Sequence, residues 1–123
     1  MKILPKDKAL IDELRRKQDQ NALFLGIVEA EYDAKLAECL RQGWDSVRRG
    51  SLLVEREDHR EFLLAKIRST REEQRVAGEA ALCAIGVDTA KAEYQIHEAE
   101  VLQLVAGHWV PYETAQAFGM RAE

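Results

Sequence analysis

Leu23-Phe-Leu-Gly-Ile-Val-Glu-Ala-Glu-Tyr-Asp-Ala-Lys-Leu-Ala-Glu-Cys-Leu-Arg-Gln42 holds no proline and one glycine, and its apolar residues Leu25, Val28, Tyr32, Leu36 and Cys39 recur in steps of three and four. That period marks a helix packed along one side. The stripe continues upstream through Ile11, Leu14 and Ala22, broken by Gln18 and Asn21, so the helix is predicted over about residues 8–42. A second line of Leu23, Ile27, Ala30, Ala34 and Ala37 lies off the stripe. From about residue 22 onward the helix is therefore apolar on two sides.

Outward from this helix the punctuation is sparse. Gly43 to Gly50 has a glycine at each end and reads as an eight-residue connection, after which Ser51 offers a capping hydroxyl. A second helix follows over about 52–85, with His59, Leu63, Ile67, Thr70, Gln74, Ala77, Ala81 and Ile85 on one stripe and Gly86 as its stop. Asp88 or Thr89 can cap a third helix over about 89–106, where Ala90, Tyr94, His97, Val101, Leu104 and Val105 share a face at helical spacing. Gly107 ends it, and Pro111 suits the first turn of a short fourth helix over 111–118, stopped by Gly119. Alternation never persists beyond a few residues, and no Asn-Gly or Asp-Gly pair joins two β-branched runs. The expected fold is all-α: a single-domain, coiled-coil-like bundle in which a long antiparallel hairpin carries a shorter third helix and a short C-terminal one.

An eight-residue link makes paired residue numbers sum to roughly 94, placing Tyr32 near Phe62 and Leu25 near Ser69. At ~1.5 Å per residue the third helix spans about 27 Å against about 50 Å for the hairpin, so it covers Gln74 to Ile85 and leaves the end near the connection bare. Phe24, Ile27, Ala30, Ala34, Phe62, Leu63, Leu64 and Ile67 form the predicted protein interface there. The competing cover is an aromatic flap of His108, Trp109, Tyr112 and Phe118.

The chain has 123 residues and a net charge of −4, enough for folding to bury about two-thirds of its surface. A disordered acidic or basic tail is excluded by the 46% hydrophobic share, which is that of a globular chain. No run nears the ~18 apolar residues of a membrane span, and Met1 to Leu10 lacks a signal peptide's apolar stretch, so a cytoplasmic protein without membrane association is expected.

Candidate chemistry is thin. His97 has Glu93 four residues before it and Glu100 three after, and His59 has Glu55 at i−4, but no Glu-x-x-His pair or Cys/His box completes a ligand set. Packed histidines, with no metal, are the expectation. Cys39 and Cys83 lack a Cys-x-x-Cys partner or a basic neighbour and read as small buried hydrophobes. No phosphate-binding glycine pattern or nucleophile elbow occurs. Neither a catalytic nor a cofactor-binding residue is assigned, and no cofactor is expected.

Nucleic acid is the rival partner. Arg15-Arg16-Lys17 and Arg48-Arg49 are basic clusters, and Val105 to Met120 looks like the opening of a helix-turn-helix, with Ala115 and Ala117 at packing positions. The reading helix is missing, and residues 76–123 hold seven acidic against two basic side chains, which repels phosphate. A non-enzymatic interaction or assembly protein, presenting apolar helix faces to itself or to a protein partner, is the expected function. A truncated helix-turn-helix-like DNA-binding regulator or DNA-packaging accessory, and a protein inhibitor of a host enzyme, are the alternatives. A bacterial or phage source is a prior rather than a deduction.

Overall fold

Two long helices, α1 (Pro5–Gln42) and α2 (Ser46–Ala84), form a hairpin, and after them the chain turns to strands β1 (Tyr94–His97), β2 (Glu100–Val105) and β3 (His108–Pro111) before a six-residue helix α3 (Tyr112–Ala117). This computed structural model describes residues 1–43, 46–117 and 119, with the backbone alone at Ser46. Its contacts divide it into two compact units: residues 1–14 with 73 onward, and residues 15–72.

In residues 15–72 the sequence stripes become the seam of the hairpin. Tyr32, Cys39, Leu63, Ile67 and Thr70 are buried, with Leu25, Val28 and Leu36 half-buried beside them. Thr70 is the polar member, and both capacities of its hydroxyl are met: it donates to the Lys66 carbonyl at 2.9 Å and accepts from Asn21 Nδ2 at 3.3 Å. The Tyr32 hydroxyl shares a 3.1 Å hydrogen bond with His59 Nδ1. Glu29 meets Arg60 and Asp33 meets Arg56, each at 3.2 Å. These cross-helix pairs have residue numbers summing to 89–91 rather than 94. The offset goes with an earlier start of the second helix, since α2 begins at Ser46 instead of about residue 52. Gly50 and the expected cap Ser51 both lie inside the helix.

The other unit overturns the all-α expectation. No helix spans 89–106; β1, β2 and β3 make an antiparallel three-stranded sheet in sequence order. Asp88 does cap, with its Oδ1 accepting from the Ala90 N–H at 3.0 Å, but it caps a turn. Pairing sets Tyr94 against Gln103 and Ile96 against Val101, then Gln103 against Val110 and Leu104 against Trp109. Alternation now governs burial: Val101 and Gln103 are buried while Leu102 and Leu104, each one residue further along, are only half-buried. Two-residue turns join the strands. Glu98 (φ 57°) opens the first, and Ala106 (φ 52°) with Gly107 (φ 77°) makes the second, a both-positive pair whose twist matches the flanking strands.

Ile3, Ile11, Leu14, Ala77, Ala81, Leu82, Val87 and Val101 form one buried cluster, with Tyr94, Ile96 and Tyr112 packed against it. Gly86 (φ 83°) ends α2 through two hydrogen bonds, Gly86 N–H to the Cys83 carbonyl at 3.1 Å and Val87 N–H to the Leu82 carbonyl at 3.0 Å. This double closure turns Val87 back onto Leu82. The start of the chain joins the sheet as well: Ile3 N–H donates to the Ala99 carbonyl and Val101 N–H to the Met1 carbonyl, both at 3.0 Å.

Candidate protein-interaction face

Within residues 15–72 eight large apolar side chains are between 45% and 78% exposed: Leu23, Phe24, Ile27, Leu40, Val47, Leu53, Val54 and Phe62. They do not lie on one side. At about 100° per residue, Glu29 and Asp33 project roughly 60–100° to one side of the α1 seam, and Phe24 and Ile27 roughly 80–140° to the other. On α2, Arg60 shares the side of its partner Glu29, whereas Phe62 and Lys66 share the side of Phe24. One face of this hairpin is therefore laced by the Glu29–Arg60 and Asp33–Arg56 ion pairs. The opposite face presents aromatic and aliphatic surface, with Ile27 across from Phe62 in the observed pairing.

Cations frame that second face. Lys66 Nζ lies 4.7 Å from the centroid of the Phe62 ring, and Lys35 Nζ lies 5.0 Å from that of Tyr32. Each ring offers its negative face to an ammonium whose methylene stem adds apolar area. Tyr32 and His59 meet edge to face, with ring centroids 5.7 Å apart. Lys35 and Lys66 were not singled out in the sequence, although the Phe62/Lys66 and Tyr32/Lys35 spacings of four and three residues are what bring helix neighbours together.

The predicted interface residues fall in three places. Phe24, Ile27 and Phe62 are exposed on the apolar face. Ala30 and Ala34 are exposed on the back of α1, away from the seam. Leu63 and Ile67 are buried in the seam itself, and Leu64 is half-buried on the ion-paired side.

The unit of residues 1–14 and 73 onward holds a cleft of about 270 Å³ whose lining includes Asp88, Lys91, Tyr94, Gln103, Tyr112 and Gln116. Gln103 is 3% exposed, and its Oε1 accepts from Gln116 Nε2 at 3.0 Å. The Tyr94 and Tyr112 rings lie 6.1 Å apart. Loss of hydration holds the Tyr94 hydroxyl above the usual tyrosine range, reinforced by Tyr112 and Asp88.

Other expectations are corrected here. Trp109 and His108 belong to β3, and Tyr112 starts α3 and packs on the core, so these residues do not make a flap; Phe118 lies outside the described residues. The Gly-aromatic-x-Pro run read as a helix-turn-helix approach is a hairpin turn followed by a strand. His97 sits exposed at the end of β1, where Glu93 and Glu100 are no longer helical neighbours. Cys39 is buried, but Cys83 is exposed. Among the described residues, no three His, Cys, Asp or Glu side chains converge to hold a metal, and no helix is long and apolar enough to cross a membrane. Comparison with protein-family models, with curated proteins and with solved structures returns no match.

Proposed function

We propose that this chain is a non-enzymatic interaction protein of the cytoplasm that acts through the helical hairpin of residues 15–72. The exposed Phe24, Ile27 and Phe62 carry the reading. Three large aromatic and aliphatic side chains exposed on the same face are the kind that protein interfaces bury, and leaving them in water forgoes about 25 cal/mol per Å². Charge gives a nucleic acid little hold: on the same projection the face carries Glu31, Glu38 and Glu55 against Lys17, Lys35, Arg48 and Lys66, a balance near zero that offers phosphate little net attraction. Two cysteines that form no disulfide suit a reducing compartment.

The test is site-specific photocrosslinking in the native cell. A photoreactive amino acid replaces Phe62 in one variant and Glu29, on the ion-paired face, in another. Adducts with protein from position 62 and none from position 29 support the reading. Absence of protein adducts at position 62 refutes it.

A further inference from the structure

Resting on that reading, we infer that the occupant of the Phe24–Ile27–Phe62 face is a second copy of this chain, packed so that each α1 lies over the partner's α2. A two-fold axis parallel to the helices brings together residues at the same height along the hairpin, and the observed pairing fixes those heights. The cross-helix hydrogen bonds and ion pairs join residues whose numbers sum to 89–91. Under this operation Ile27 of one copy meets Phe62 of the other, so apolar meets apolar at the centre. Further along, Glu31 meets His59 and Lys35 meets Glu55, while Phe24 meets Lys66, a cation that already stands over an aromatic ring. Lys35 and Glu55 find opposite charges, Lys66 a ring and Glu31 a histidine, which is the kind of self-complementarity that a two-fold interface demands. A strongly acidic or basic partner finds no such match.

The size of the face agrees. Residues 15–42 of α1 extend about 42 Å, and two helices side by side are about 20 Å wide. The resulting footprint of roughly 840 Å² is close to the ~800 Å² per partner of a standard specific interface. The opposite face is already crossed by ion pairs within the chain. The result is a four-helix bundle in which every neighbouring helix pair is antiparallel.

Sedimentation equilibrium on the full chain, from about 1 to 100 µM, reads the assembly directly, over a range that brackets a micromolar dissociation constant. The expected species has twice the 14.0 kDa chain mass. Lys35→Glu and Glu55→Lys each place like charges in contact and should weaken association about tenfold, while the double variant K35E/E55K should restore it. Both positions are exposed, and circular dichroism of the singles should match the wild type. A monomer mass throughout overturns the inference, as does a dimer that neither single variant weakens. If the chain is monomeric yet position 62 crosslinks a different protein, the interaction reading stands and the second copy falls. If position 62 crosslinks nothing, both fall.

Discussion

Val101 is the largest fully buried side chain of the unit that carries the sheet, with 0% of its surface exposed, and its replacement by alanine measures how tightly β2 packs on the helix ends. Val101→Ala removes two methyl groups. At about 0.8 kcal/mol per buried methylene-sized group, the lost transfer energy is about 1.6 kcal/mol. A residual cavity of about 40 Å³ at ~24 cal/mol per Å³ adds about 1 kcal/mol, for a total near 2.5 kcal/mol. With a urea dependence of roughly 1.5–2 kcal/mol per molar for a chain of this size, the unfolding midpoint should fall by about 1.2–1.7 M. The comparison is Val47→Ala on α2, where the side chain is 78% exposed and the change should stay within about 0.5 kcal/mol. Urea titrations followed by circular dichroism give both values. Equal midpoints for the two variants, within about 0.3 M, would refute the packing of β2 described above.

Three further outcomes follow from local geometry. Ala106→Asn should stabilise the protein by about 0.5–1 kcal/mol in the same titration, because asparagine tolerates the positive φ at this turn position better than alanine; in a helix the substitution would destabilise. Of the two cysteines, Cys83 should react with a thiol reagent in the native protein and Cys39 only in denaturant, so thiol counts of one and two per chain are expected. Because the folded state holds the Tyr94 proton more tightly than the unfolded state does, stability should fall as pH rises past the ordinary tyrosine value of about 10 toward the raised folded value. Tyr94→Phe should lessen that alkaline loss in a pH series of thermal unfolding.

The hairpin seam was legible from the sequence because helical periodicity holds across many turns and the same residues, from Tyr32 and Cys39 to Leu63 and Ile67, are buried. The sheet was not. Ala90, Tyr94, His97, Val101 and Leu104 fall by coincidence at steps of four and three, and that mimics a helix. The strand signals that compete with it are each disguised. Buried Gln103 breaks the apolar alternation, and its Oε1 accepts from the Gln116 amide, thirteen residues on. Ala106-Gly107 fills a turn that Asn-Gly or Asp-Gly would have announced, and Glu98 adopts a positive φ that its sequence neighbours do not foretell. The exposed apolar face was partly legible. Phe24, Ile27 and Phe62 were named from periodicity, but the earlier start of the second helix moves the pairing by about one turn and decides which side chains meet.

The pairing of Met1 and Ile3 with Ala99 and Val101 has a consequence for how the molecule assembles in time. Those bonds close nearly a hundred residues of chain, so the sheet-bearing unit cannot finish until the segment around residue 100 exists and has found the start. If the hairpin of residues 15–72 forms first, it already bridges Leu14 and Glu73, the residues of the sheet-bearing unit that flank it in the chain, and the loop left to close shrinks to about 40 residues. On a (3/2)RT ln n scale this lowers the closure entropy by about 0.8 kcal/mol, roughly a fourfold gain in rate. The long helices thus serve as a zipper, and damage to their seam should slow the ordering of the sheet.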